Sequence, residues 1–423
     1  MKILWLTSKI LPYVANQLNV ACTDQGKWLR VLSDAFIKDD NIDFVSIYAS
    51  GNRIKQKGRN KRCTWYSFYA PKVIETNYNE KRYIFFKNIL AKERPDLVHI
   101  WGTEYVFSSE MLDASKNIVP AVVSIQGLIS ECAKKYTEGL PYKVIKSYTF
   151  HDLIRNDNIL KQKKNFLKRG EFEKDLIRKS NYIIGRTDWD KESVREINPD
   201  AEYFFCDEIM RPDFYEGEEW SYTRCDKGRI FMSEASYPIK GMHNAIEIMR
   251  ILKKKHPNIH LYTTGRDARS HNIQEIMRQN SYEKYLSTLI NEYGLNENIT
   301  YLGRLGPAEI KEQLLKANLY LNISVVENSS NSIAEAMLIG TPILASDVGG
   351  TSSIVGTYGR ECLFDIERPQ DAAGMAERIL NKEKPEDFLK YLSVRQYAKE
   401  KYDVNKILSQ YLDCYANIIG KTK

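Results

Sequence analysis

Two glutamates, Glu327 and Glu335, lie eight positions apart and flank a run of small polar residues, Asn328-Ser329-Ser330-Asn331-Ser332. A carboxylate accepts strong hydrogen bonds from hydroxyl groups. A helix that begins around Ser329 to Ser332 presents backbone N–H groups without partners inside the helix, and these suit an anion. One ligand meets both demands: a sugar joined to a nucleoside through a diphosphate. Ser332 and Glu335 also have the spacing of a capping box, in which the glutamate closes its own helix start. Spacing alone leaves both readings open.

The elements around these residues are legible. Leu319 to Ile323 is an apolar run that reads as a buried strand. Ile333 to Leu338 continues as a helix that stops at Gly340, with Pro342 beyond it. Pro342 to Ala345 is a second strand, leading into Gly349-Gly350. In an open parallel sheet, ligands bind at the carboxyl ends of the strands, which is where both glutamates and the glycine pair fall.

The stretch ENSSNSIAEAM followed by GTPILASDVGG resembles the donor-site signature of retaining glycosyltransferases of family four, which have the GT-B fold of two Rossmann-like doubly wound parallel-sheet domains facing a cleft. The resemblance implies that Glu327 faces the transferred sugar and Glu335 the ribose hydroxyls. Asn328 stands where many members have glycine. It further implies that Asn328 to Ser332 lie around the donor, that the Gly349 and Gly350 amides face its diphosphate, and that the reaction needs neither metal nor cofactor beyond the nucleotide-sugar co-substrate. Tyr237-Pro238-Ile239-Lys240-Gly241 resembles the family's Lys-Gly phosphate element, with Lys240 as the catalytic cation. A surface lysine before a turn is the plainer alternative. The family pairs this lysine with an arginine about five residues earlier, where this chain has Ala235. Either Arg304 or Arg266, from strand-end loops, substitutes for it, or the donor is held with less charge.

In the first half, Ile3 to Leu6 and Phe44 to Ala49 read as strands, with a helix at Leu29 to Phe36 between them. Gly26 matches the family's donor-approaching glycine turn, or is a helix-entry turn. PDLVHIWGTEY resembles the family's Pro-Asp-x-x-His strand, so His99 is either a sugar or acceptor contact or a satisfied core histidine. Gln126, after the strand Ala121 to Ile125, stands where many members place a histidine; it can position a donor but not move protons. Asp188-Trp189-Asp190 after the strand Tyr182 to Gly185 imitates the metal motif of the GT-A fold. Thr187 or Asp188 is a good N-cap with acids favoured behind it, and the metal reading is rejected. Residues 130 to 165 read as irregular, basic and tyrosine-rich, an acceptor-side lid or membrane-facing segment; a helix follows at 166 to 179.

The second half alternates strands at Arg229 to Met232, Ile259 to Thr263 and Ile299 to Leu302 with helices at Met242 to Lys254 and Ile273 to Tyr293, the pattern of a parallel sheet. With the resemblance to the GT-B family, this implies the expected domains: 1–215 on the acceptor side, a linker at 216–228, a nucleotide-sugar domain at 229–395, and a C-terminal helix at 396–423 crossing back to the first.

With 43% hydrophobic and 28% charged residues, the composition is that of a globular protein large enough for two cores. No apolar run reaches eighteen residues, which excludes a transmembrane helix. Seven scattered cysteines without Cys-x-x-Cys argue for free thiols in a reducing cytosol and against zinc. The net charge of +7 is mild, and its clusters at 53–62 and 161–169 suit either an anionic membrane surface or solvated faces. Nucleic acid is not indicated, since no aromatics interleave with them.

The resulting expectation is a cytoplasmic hexosyltransferase-type enzyme, peripheral on the inner membrane face, passing sugar from a nucleotide donor to a glycan or polyprenyl-linked glycan in bacterial surface-polysaccharide synthesis. A sugar-nucleotide epimerase on the same fold and a non-catalytic sugar-nucleotide-binding subunit are the alternatives.

Overall fold

The computed structural model describes residues 1–20, 29–52, 56–60, 62–71, 75, 77–270 and 272–422. Gly26 and part of the basic stretch 53–62 lie outside the described residues.

The described chain forms two compact units. The first comprises residues 1–130, 168–211 and 402–423, and the second comprises 131–167 and 212–401. The first unit holds β1 (Lys2–Thr7), β2 (Asp43–Ser50), β3 (Lys57–Arg59), β4 (Cys63–Tyr69), β5 (Leu97–Trp101), β6 (Ala121–Ser124), β7 (Tyr182–Gly185) and β8 (Glu202–Phe205). They form one sheet in the order β3-β4-β2-β1-β5-β6-β7-β8, parallel except for the β3–β4 pair. The second unit holds β9 (Arg229–Met232), β10 (His260–Thr263), β11 (Ile299–Tyr301), β12 (Leu319–Asn322), β13 (Ile343–Ser346) and β14 (Leu363–Phe364). These form a parallel sheet in the order β11-β10-β9-β12-β13-β14. Both sheets are doubly wound. The order reverses at β1/β5 in the first and at β9/β12 in the second, and such reversals open a crevice at the strand ends.

Alternation along β1 and β5 sorts the first core into two layers. Leu4, Leu6, Val98 and Ile100 meet Phe86, Leu90 and Met111 on one face. On the opposite face Trp5 packs edge-on against Phe44 and Trp101, both at 5.0 Å between ring centroids. The helix Val404–Thr422 closes this aromatic face with Tyr411 and Tyr415, both fully buried. In the second unit Ile230, Phe231, Leu321, Ile343 and Leu344 are buried, as strands covered on both faces by helices require.

Two expectations are corrected. Residues 130–165 are not irregular: helices run at Ile129–Lys135, Tyr142–Ile145, Phe150–Arg155 and Ile159–Lys179, the last beginning well before 166. Residues 273–293 form two helices, Ile273–Arg278 and Ser281–Glu292, because the Asn280 side chain caps the second and Gln279 is pinned to the Ala268 carbonyl at 2.7 Å. The aromatic strand β4 was missed, since Thr64 and Ser67 interrupt its apolar run. The expected linker, 216–228, falls within the second unit and is anchored there. Trp220 donates through Nε1 to the Ala317 carbonyl at 2.7 Å, and its ring lies 5.2 Å from that of Phe388.

Candidate functional site

The crevice of the second sheet is built by two turns that lean on each other. After β9 the chain makes a short 3-10 turn, Pro238–Lys240, and Gly241 turns it into the helix Met242–Lys253 with φ of 75°. A Cβ at Gly241 would lie 1.8 Å from the Ile323 carbonyl oxygen, so only glycine lets the turn sit against the end of β12. The Val325 N–H donates to the Ile239 carbonyl at 2.9 Å and fastens the two turns together.

Lys240 and Glu327 meet across this junction. The Lys240 ammonium is 2.8 Å from Glu327 Oε2, which also accepts from the Ser324 hydroxyl at 3.0 Å. Burial opposes the charge on Lys240, but the Glu327 carboxylate beside it prevails and holds its pKa above the ordinary lysine value. Lys240 is therefore a cation at neutral pH. The glycine pair holds the carboxylate's backbone: the Gly350 N–H donates to the Glu327 carbonyl at 2.9 Å. Gly349, at φ of 54°, lies so close that a Cβ would come within 2.1 Å of the same oxygen. The expectation that the Gly350 amide faces a donor is corrected here, because that amide is engaged with Glu327.

The helix after the loop runs Asn331–Ile339 with Ser330 at its N-cap, and the Ser330 side chain does not cap it. The Ser332–Glu335 capping box is thus not formed, because Ser332 already lies inside the helix. Glu335 is buried at 3% exposure, and its charge acts on the Tyr320 hydroxyl, which Ser233 also contacts at 2.9 Å. Asn328 and Ser330 are likewise buried. The structure thereby brings Lys240, Gly241, Glu327 to Ser332, Glu335, Gly349 and Gly350 to one crevice.

Other expected residues fall elsewhere. Arg304 is exposed after β11, where Gly265 donates to the Gly303 carbonyl at 2.9 Å. Arg266 is tied to the Arg278 and Glu275 carbonyls. At the position of the missing arginine, Ala235 is buried, and the preceding Glu234 carboxylate accepts the N–H groups of Ala235 and Ser236 at 2.9 and 2.8 Å.

In the first unit, Gln126 is half-buried, and its carbonyl accepts from Arg186, which also pairs with Glu208 at 2.6 Å. His99 is fully buried, which removes it as a sugar or acceptor contact. Its Nδ1 is 2.5 Å from the Tyr415 hydroxyl and its Nε2 is 2.6 Å from that of Ser124. Trp5 Nε1, which can only donate, gives its hydrogen to the same Tyr415 oxygen at 3.1 Å. His99 is neutral, as its burial demands: its pKa is held well below the usual value. Thr187 and Asp190 form a true capping box. Among the described residues no group of three or more His, Cys, Asp or Glu side chains could hold a metal ion.

A residue passed over in the sequence is Glu104. It follows β5 at the reversal point of the first sheet and lines a cavity of about 640 Å³ with Ser8, Tyr48, Tyr105, Phe107 and Arg169. Burial pushes its carboxyl above the ordinary range against the pull of Arg169, 3.8 Å away. Its Oε2 is buried without a hydrogen-bond partner among the described residues. A carboxylate just past a strand at a sheet reversal was the available signal.

Residues 223–401 match the model of the family described as glycosyl transferases group 1. That segment belongs to the glycosyl transferases group 1. The group 1 segment contains every residue of the second-sheet crevice. Among curated proteins, the chain is 26% identical over 138 residues to the 2-deoxystreptamine glucosyltransferase of Streptomyces kanamyceticus, covering 33% of this chain and about a third (35%) of that protein's length. It is 22% identical over 359 residues to the uncharacterized glycosyltransferase YqgM of Bacillus subtilis, covering 84% and 86%. Among solved structures, the Anabaena protein HepE in complex with UDP superimposes with a TM-score of 0.65 at 14% identity, covering 99% of this chain and 100% of that one. The fold is GT-B.

Proposed function

We propose that the chain is a retaining, metal-independent glycosyltransferase that moves a sugar from a nucleoside-diphosphate donor to a glycan or lipid-linked glycan, in the synthesis of a bacterial surface polysaccharide. The observation that carries the reading is the Lys240–Glu327 pair at the reversal point of the second sheet, beside the helix start at Asn331. Negative charge grows on the diphosphate as its bond to the sugar breaks. Lys240 and the first-turn amides of that helix stabilise it. Glu327 orients the sugar hydroxyls and Glu335 takes the ribose. No covalent nucleophile is invoked, because the departing phosphate assists the incoming hydroxyl on the same face. The cavity around Glu104 and Arg169, with apolar walls and one buried carboxylate, suits the acceptor. HepE, described in complexes with UDP and with UDP-glucose, makes uridine nucleotides the first donors to try.

The test is thermal-shift titration with UDP, ADP, GDP and their sugars, with and without EDTA, on wild type and Glu335→Ala. A binder at a hundred times its dissociation constant adds about 2.7 kcal/mol of stability. A shift that survives EDTA and vanishes in the variant is the expected result. No shift from any nucleotide overturns the reading.

A further inference from the structure

Two short helices of the second unit are built inside out. In Phe150–Arg155 the one buried residue is Asp152, whose carboxylate accepts the Ser281 N–H at 3.0 Å and the Thr149 N–H at 3.1 Å. Phe150, Leu153 and Ile154, at i, i+3 and i+4, face water instead with exposures of 52, 66 and 67%. The helix Ile273–Arg278 packs beside it and buries no residue. Its Ile273, Ile276 and Met277 repeat the same spacing at 74, 56 and 48% exposure. In an ordinary surface helix such a stripe faces the core. Two adjacent stripes turned outward form an apolar face, and faces of this kind mark interaction sites.

Charge around the face selects the occupant. Residues 131–167 carry eight lysines and arginines against four acids, and one of those acids, Asp152, is the buried cap. Exposed Arg155 and Arg278 end the two helices. Tyr142 and Tyr148 stand exposed alongside, with the Lys146 ammonium 4.3 Å from the Tyr142 ring centroid. Apolar tips, tyrosines and basic residues together are the composition of a helix lying in a headgroup layer. A second copy of the chain fits poorly, since a two-fold contact would set one basic face against its equivalent.

We propose that this face docks on an anionic lipid bilayer, with Leu153, Ile154, Ile273 and Ile276 entering the headgroup boundary and Lys146, Arg155 and Arg278 against lipid phosphates. The same segment reaches the phosphate turn, because Gly139 packs on His243, two residues past Gly241. Docking therefore holds the second-sheet crevice near the membrane. The inference is independent of the transferase reading, as it is read without donor or acceptor.

The experiment is co-sedimentation with phosphatidylcholine vesicles, with and without phosphatidylglycerol. It compares the wild type with Leu153→Asp/Ile276→Asp and with Ile118→Asp, an equally exposed apolar site (54%) in the first unit. The wild type is expected to bind the anionic vesicles in a salt-sensitive way. The double variant is expected to bind them about tenfold less or weaker still, while Ile118→Asp behaves as wild type. Unchanged thermal unfolding of the double variant separates lost docking from lost fold. Equal sedimentation of double variant and wild type, or no wild-type binding to anionic vesicles at low salt, overturns the proposal. So does a concentration-dependent dimer, seen by light scattering, that the double variant abolishes.

Discussion

Replacing Glu327 with glutamine is expected to tighten nucleoside-diphosphate binding while lowering sugar transfer. Glu327 Oε2 is 2.8 Å from the Lys240 ammonium, and a phosphate oxygen bonded to the far side of that ammonium lies about 5–6 Å from the carboxylate. Two like charges at that separation repel by about 3 kcal/mol at an effective dielectric near 20. The side chains are 22% and 13% exposed, so solvent screening reduces this to about 1–2 kcal/mol. Glu327→Gln therefore strengthens UDP binding about 5- to 30-fold. Lys240→Met removes the charge-assisted bond itself and weakens binding by about 1.5–3 kcal/mol, or about 10- to 150-fold. Titration calorimetry with UDP on both variants and the double mutant measures the terms and their coupling. If Glu327→Gln weakens UDP binding as much as Lys240→Met does, the carboxylate is not opposing the phosphate, and this account of the pair is refuted.

Two further predictions concern stability. Gly349→Ala places a side chain at φ of 54° and within 2.1 Å of the Glu327 carbonyl. Left-handed strain of about 1–2 kcal/mol plus the lost Gly350–Glu327 bond of about 1 kcal/mol should lower second-unit stability by about 2–3 kcal/mol; an unchanged urea midpoint would contradict it. His243 is buried beside Tyr282, and burial, only partly offset by the Glu138 backbone, holds its pKa down to about 4 against 6.5 for the ordinary residue. Between those values the unfolded chain binds a proton that the folded chain refuses. Stability is thus fully present above pH 6.5 and is lost as pH falls toward 4, by up to about 3 kcal/mol. Urea melts from pH 7 to 4 on wild type and His243→Gln should show a slope that the variant flattens; parallel slopes would remove His243 as its source.

Much of the scaffold was readable because parallel strands are uniformly apolar. Leu97–Trp101, Tyr182–Gly185 and Arg229–Met232 begin and end where their residues suggest. The exposed three-residue β3, KGR, carries no such signal. The segment 130–165 gives little helical signal because its first three helices are only four to seven residues long and one of them, Phe150–Arg155, turns its apolar residues outward and Asp152 inward, inverting the pattern that marks a helix. In the candidate site, the motifs named Lys240 and Glu327 separately. Nothing local could show that they touch, since the bond depends on β9 and β12 being neighbours in the sheet. The role of Gly350 was misjudged for a related reason: its amide looks available until the fold places the Glu327 carbonyl against it.

The first unit takes its last helix from beyond the whole second unit. Tyr415 in that helix holds both Trp5 of the first strand and His99 of the fifth. During synthesis from the N-terminus, the aromatic face of the first sheet therefore stays uncovered until the second unit has emerged. Domain-by-domain maturation, available to a protein with two consecutive domains, is closed to this one: the unit begun first is finished last. A ribosome stalled before residue 402 would leave Trp5, Trp101 and Phe36 exposed to solvent, so a nascent chain of that length is the form on which chaperone capture should be greatest.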